Sequence, residues 1–371
     1  MAAVDLKTTQ RMIRTLSCVF LSAALGFWFA GVASAEKPAK PTLKPPVRKV
    51  EIKYTCEIDK VPEGAKTLDL WVPVATSNKR QTVRLLNEDQ LKGGRFTTDK
   101  HFGNRIYYRR YEGPFGSSGS EADDKVATSR GEPIKVVLVY DVEVHEATVP
   151  QAKKLVSTKQ VKPPAEFAPY LTETTMIPIK GRITRLAKGI DLPDGEPLRA
   201  GRKIYDHLVD TMIYNYLAKG AGSGDAVWAC DSKTGDCTDY HSVFIGVCRW
   251  RGIPADHAFG MPIPPDKAEG DIKFCHCWAR FWVADVGWIP IDASRADKFP
   301  ADRDYYFGTI GSTWVTLAHG RDVILEPPQK GGPVNMFHEP IAEVDGKPLH
   351  VKWHGYYKDH AAVAENTTAG N

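Results

Sequence analysis

The sequence predicts an α+β protein in which a β-sandwich precedes a core of helices packed on an antiparallel sheet. Three observations predict it. From Val47 to Val149 apolar residues alternate in short runs separated by Gly, Pro, Asn and Asp, with no competing helical period. From Ile183 to Cys248 the apolar spacing becomes helical. From Ala255 to Asp292 it alternates again.

The chain has 371 residues, of which 42% are hydrophobic and 25% charged, enough for two domains with sizeable cores. A net charge of +4 is small for this length, and basic residues occur in nothing longer than pairs such as Lys79-Arg80 and Arg109-Arg110. Nucleic acid is therefore not an expected partner.

At the N-terminus Lys7, Arg11 and Arg14 precede an apolar run from Leu16 to Val32, and Ala33-Ser34-Ala35 places small residues where a signal peptidase reads. Residues 1–35 are expected to be a signal peptide cleaved after Ala35, giving a periplasmic or secreted protein with no membrane attachment. A retained anchor is the alternative, because the run is nearly long enough to span a bilayer. Cys18 lacks the lipoprotein pattern, since Thr15 stands where an apolar residue is required. Residues 36–46 form a Lys/Pro linker.

Strands are expected around Val50–Tyr54, Thr67–Val74, Arg105–Tyr108 and Ile134–Val144, giving a sandwich over 47–150 with a mobile Gly/Ser/Asp loop from Gly113 to Arg130. A Pro-rich connector follows over 151–178. Ile183, Leu186, Ala187 and Ile190 mark one short helix. Ile204, Leu208, Met212 and Tyr216 mark a longer one ending near Gly220, and Gly220 to Gly235 reads as a polar loop.

Gly235 then permits a tight turn, Asp236 is a good N-cap, and Cys237 falls in the first helical turn. Unpaired amides and the positive end of the helix dipole favour a thiolate there, although a cysteine after a cap is equally often an inert small hydrophobe. Tyr240, Phe244, Val247 and Cys248 continue the helix to Gly252. Cys237 and Cys248 lie about 16 Å apart along its axis and cannot pair. Without Cys18, six cysteines remain, and if Cys237 is free the other five form at most two disulfides.

Beyond the helix, strands are expected over 255–263, 272–283 and 288–292. Alternation in the second puts Phe274, His276, Trp278 and Arg280 on one face and Cys275, Cys277, Ala279 and Phe281 on the other. It also argues against zinc at Cys275-His276-Cys277, because neighbouring strand residues cannot aim at one ion. No metal or cofactor is expected, and calcium dependence is not legible.

A cysteine at a helix N-terminus, a strand histidine and an acid on the next strand are the parts of a cysteine acyl-transfer site. His276 would exchange a proton with Cys237, and Asp292 would orient the imidazole and support its charged form. Trp228, nine residues before Cys237, is a candidate second oxyanion donor beside the Cys237 amide, or simply a packed aromatic. A tight hairpin turning at Asp285-Val286-Gly287 would place His276 opposite Ala296 and leave Asp292 about 13 Å along the strand, so the pair would need twist, a bulge or a longer crossing of the strands.

Gly235-Asp236-Cys237-Thr238-Asp239-Tyr240, then Arg249-Trp250-Arg251-Gly252-Ile253-Pro254-Ala255, then His276-Cys277-Trp278, then Gly287-Trp288-Ile289-Pro290-Ile291-Asp292-Ala293-Ser294, resemble the transglutaminase-like superfamily. The resemblance implies a papain-like core over 179–325, with Cys237, His276 and Asp292 as its triad and 326–371 as a C-terminal β extension and tail. It implies thioester chemistry on a peptide or protein substrate, with hydrolysis favoured over cross-linking because sequence shows no acceptor tunnel that excludes water. The alternative is a catalytically silent binding or scaffolding protein on the same fold. The cysteines flanking His276 depart from the small or apolar residues common there.

Overall fold

The structure is a computed structural model that describes residues 46–116 and 133–360. The expected signal peptide, most of the linker, much of the Gly/Ser/Asp loop and the tail from 361 onward lie outside the described residues.

Six strands open the described residues: β1 (Val47–Ile58), β2 (Thr67–Val74), β3 (Gln81–Leu85), β4 (Arg95–Thr98), β5 (Arg105–Glu112) and β6 (Ile134–His145). In β1 and β6 every second side chain is buried, and Val50, Ile52 and Tyr54 pack with Leu138, Tyr140 and Val142. Each such aliphatic side chain contributes about 1.5–3 kcal/mol on burial. A two-residue strand β7 (Ala147–Thr148) and a short helix α1 (Pro150–Lys153) lead into the connector.

Helix α2 (Arg182–Gly189) buries Ile183 and Ala187. Helix α3 (Pro197–Thr211) buries Leu198, Ile204, Tyr205 and Leu208. The longer helix expected to reach Gly220 stops at Thr211, because β8 (Ile213–Tyr214) leaves it to pair in parallel with β9 (Thr234–Gly235). Tyr216 is consequently 67% exposed and not on the buried face. The expected loop between Gly220 and Gly235 contains a further helix, α4 (Ala226–Ser232), capped by Asp225, whose carboxylate accepts from the Val227 and Trp228 amides.

Helix α5 (Cys237–Trp250) is buried along nearly its whole length. It packs on a sheet formed by β10 (Ala255–Pro262), β12 (His276–Val283), β13 (Gly287–Ile291) and β15 (Trp314–His319), in the order β13-β12-β10-β15. The strand expected over 272–283 is two strands. β11 (Glu269–Ile272) enters a different sheet, the chain turns over 273–275, and β12 then begins at His276. Ile272 is buried among the sandwich residues, Cys277 belongs to the core side, and Phe274 between them is 62% exposed. Helix α6 (Ala293–Lys298) and the short β14 (Thr309–Ile310) complete the core.

The described residues end in β16 (Ile341–Val344), β17 (Lys347–Leu349) and β18 (Lys352–Asp359). These strands complete both sheets of the sandwich, whose orders are β11-β18-β1-β6-β3 and β17-β16-β2-β5-β4. Met261, Val315 and Leu317 from the core sheet, with Ile263 just after β10, share the sandwich's hydrophobic cluster. All six cysteines among the described residues are free thiols.

Gly201 is dictated by packing. A Cβ on Gly201 of α3 would lie 2.5 Å from the ring of Phe281, which is itself fully buried against Phe244 and Phe307. Gly201→Ala gains up to about 1 kcal/mol of helix propensity but overpacks this contact at a cost of about 1–3 kcal/mol. Urea unfolding should show a lower midpoint at unchanged slope; an unchanged or higher midpoint would contradict the packing account.

Candidate active site

The N-terminus of α5 is fixed before any reacting group is considered. Asp236 caps it, accepting from the amides of Thr238 at 2.8 Å and Asp239 at 3.4 Å. Asp239 reciprocates by accepting from the Asp236 amide at 2.9 Å, and also takes the Gly222 and Gly224 amides at 2.8 and 3.0 Å. Gly235, at φ 149°, passes so close to Asp239 that a Cβ there would meet its side chain at 2.5 Å. Cys237 is thereby held at the first helical position, 8% exposed.

Histidine and acid come from a hairpin. Val283 pairs with Gly287 and Ala279 with Ile291, so the turn spans three residues and the register is two residues tighter than expected from sequence. Extending it places Asp292 opposite Trp278, on the same face as His276 and displaced by one diagonal step, which long side chains bridge. No bulge is needed: His276 Nε2 and Asp292 Oδ2 are 2.6 Å apart. Asp292 also caps α6, its Oδ1 accepting from the Arg295 amide at 2.9 Å and the Ser294 hydroxyl at 2.8 Å. With Nε2 committed to Asp292, Nδ1 is the His276 nitrogen left for the thiol. The ring lies against Trp314 at 4.4 Å between centroids.

Alternation along β12 places Cys277, Ala279 and Phe281 toward the helices and Trp278 with Trp314 on the opposite side. Because the N-terminus of α5 sits over the beginning of the strand, Cys237 meets both faces there. It interacts with His276 and also packs with Cys277 and Phe259, against which Met336 rests.

Three further groups enter the site, of which His241 and Arg321 were not singled out from sequence and Cys277 was placed only on the strand face away from His276. His241 lies one turn after Cys237 and is fully buried; its Nε2 accepts the Ala293 amide at 3.2 Å and its Nδ1 is 3.6 Å from Cys277 Sγ. The i, i+4 spacing from Cys237 is the signal that could have found it. Cys277 is the second, and Arg321 the third. The Arg321 guanidinium, 1% exposed, donates to Asn335 Oδ1 at 2.6 Å, to the Ser223 carbonyl at 3.1 Å and to Ser242 Oγ at 3.2 Å. It thus ties the loop before α4, helix α5 and the segment carrying Met336 together. Trp228 sits in α4 with its indole against Gly220 and packs with the helical core, apart from the Cys237 cluster.

The electrostatics follow from these positions. A hydrogen bond from Cys277 and the charge of His276 hold the Cys237 thiol well below its usual range, overriding burial. Burial pulls His276 down, but the Asp292 carboxylate and the Cys237 sulfur outweigh it and raise the imidazole to about 9. Burial would push Asp292 up, yet the neighbouring His276 charge keeps it well below the usual carboxylate range. Burial pushes His241 down to about 4, so that ring is neutral at pH 7. The arrangement favours a thiolate and an imidazolium over the two neutral groups.

Residues 184–293 match the family model described as Transglutaminase-like superfamily. This chain carries a transglutaminase-like domain. A protein of Haemophilus influenzae described only as uncharacterized is 26% identical over 324 residues, covering 78% of this chain and 84% of its own length. Two solved structures are also similar. A candidate cysteine protease from Cytophaga hutchinsonii is 13% identical, covering 84% of this chain and 91% of its own at a TM-score of 0.49. The periplasmic domain of TgpA from Pseudomonas aeruginosa, solved with ethylmercury, is 12% identical, covering 69% of this chain and 92% of its own at a TM-score of 0.31.

In the transglutaminase-like domain Asp292→Asn keeps an oxygen to cap α6 but removes the carboxylate that raises His276. The imidazole midpoint, read by NMR, should fall from about 9 toward or below 6.5, since burial then acts unopposed by that charge. The raised His276 midpoint also means that its contribution to stability is complete below pH 6.5 and is lost as pH rises through about 9. An unmoved midpoint in the variant would show that Asp292 does not set the charge of His276.

Proposed function

We propose that the domain is a cysteine-dependent acyl-transfer enzyme acting on peptide or amide bonds, with Cys237, His276 and Asp292 as its catalytic residues. The observation that carries this reading is the 2.6 Å bond between His276 and a buried carboxylate, with the other ring nitrogen left for a thiol at a helix N-terminus. The Cys237 thiolate attacks the substrate carbonyl, and the imidazolium of His276 gives its proton to the departing amine as the carbon–nitrogen bond breaks. The thioester that remains is attacked by water. Neutral His276 takes the water's proton, the carbon–sulfur bond breaks, and the acid leaves with the thiolate–imidazolium pair restored. The Cys237 amide, first of the helix, is one donor to the oxyanion. A primary amine in place of water would give transfer; hydrolysis is favoured because water is abundant and no special acceptor site is required.

The protein is further proposed to be exported, periplasmic or secreted, after cleavage behind Ala35. Among the described residues no helix is long and apolar enough to cross a membrane.

Incubating the mature protein with a peptide library, with and without a primary amine, and weighing the products tests the reading. New peptide termini indicate hydrolysis, and addition of the amine indicates transfer. Cys237→Ala should reduce either by about 10⁴-fold or more. Equal product from wild type and Cys237→Ala would assign the activity elsewhere.

A further inference from the structure

The buried side of Cys237 holds a second thiol in a defined hydrogen-bonding frame. Cys277, 2% exposed, packs against Cys237 with Phe259, and its Sγ lies 3.6 Å from His241 Nδ1 and 3.8 Å from Thr238 Oγ1, both within reach of sulfur hydrogen bonds. The tautomer of His241 follows from its other contact. Nε2 accepts the Ala293 amide, so the neutral ring carries its proton on Nδ1 and points it at the Cys277 sulfur. The sulfur of Cys277 is thus an acceptor toward His241 and has one proton of its own to donate. Two acceptors are available to it, the Thr238 hydroxyl at 3.8 Å and the sulfur of Cys237, the residue it packs against.

We propose that Cys277 is a positioning residue for the reaction of Cys237: held by His241, it donates its S–H to the Cys237 sulfur whenever that sulfur carries negative charge. When Cys237 is acylated and the charge is gone, the same proton turns to Thr238. The bond therefore exists in the free thiolate and in the step that expels it, and weakens in the thioester. It lowers the basicity of the attacking sulfur and makes it a better leaving group when water arrives. This rests on the acyl-transfer reading above. The direction of the Cys237 shift agrees, since the Cys277 hydrogen bond is the largest contribution to it, ahead of His276.

Other groups also face Cys237. Asp236 lies on its own turn, His241 one turn along, His276 and Cys275 around the start of β12, and Tyr214 on β8. Lys298 of α6 and His338, two residues after Met336, complete the set. Of these, His241 is the one hydrogen-bonded to the Cys277 side chain, and Cys277→Ser keeps a partner for it.

The test is the pH profile of Cys237 alkylation by iodoacetamide, read by peptide mass in the full mature chain with a phosphine reductant. Wild type, Cys277→Ala, Cys277→Ser and His276→Ala are compared. At pH 6 Cys277→Ala should react about tenfold or more slowly than wild type, while at pH 10, with the thiolate formed in both, the rates converge. Cys277→Ser keeps a donor and should retain most of the pH 6 reactivity. A role confined to packing would change the rate at every pH and leave the midpoint unmoved. A wild-type midpoint below that of a free thiol, lost in His276→Ala but unmoved in Cys277→Ala, overturns the inference alone. A wild-type midpoint of an ordinary thiol, near 8.5, overturns the acyl-transfer reading and the inference with it.

Discussion

The 2.6 Å bond between His276 and Asp292 is the interaction on which the site depends. Asp292 is 2% exposed, and an isolated carboxylate at that depth would be protonated. It stays charged because His276, the Ser294 hydroxyl and the Arg295 amide all donate to it. Its charge in turn raises His276, and the charge on His276 helps to lower Cys237. Burial opposes ionisation at all three residues, so the charged set is held as a set: neutralising one removes the support of its neighbour.

Much of this was legible locally. The run Gly235-Asp236-Cys237 encodes a turn, a cap and a first helical residue within three positions, and the structure builds them so. The strands around Val50, Leu70, Ile106 and Val136 were legible from period-two alternation for the same reason: the signal lies within the segment. Helix α4 was not, because seven residues carry too little period and three glycines, 220, 222 and 224, precede it. The break between β11 and β12 was hidden because both halves alternate; only their different partners, β18 and β10, separate them. Sequence reading put Cys277 on the face away from His276, which is correct for a strand. It could not show that a helix end would sit over the start of that strand and touch both faces.

The hairpin shows how small a register difference matters. A turn centred one residue later shifts the opposing residue by two and lengthens the gap between His276 and Asp292 from one diagonal step to about 13 Å. Asp292 directly follows β13 and caps α6, so the residue that starts the helix and the residue that orients His276 are the same. The requirement to cap the helix thereby fixes where the acid sits along the strand, and the site inherits its precision from secondary structure.

The sandwich also reaches the site, without supplying a reacting group. Trp71 on β2 donates its indole N–H to the Pro327 carbonyl at 2.8 Å, and the segment that follows carries Asn335 and Met336 to Arg321 and Cys237. Glu343 on β16 accepts the Lys330 and Gly331 amides at 2.8 and 2.7 Å, holding the same segment from its other side. Both anchors lie in one sheet, where β16 pairs directly with β2. The cover over the thiol is therefore positioned by strands drawn from opposite ends of the described chain. Loss of the C-terminal strands would loosen that cover as well as expose the sandwich, because β16 is at once a sheet strand and one of its fastenings.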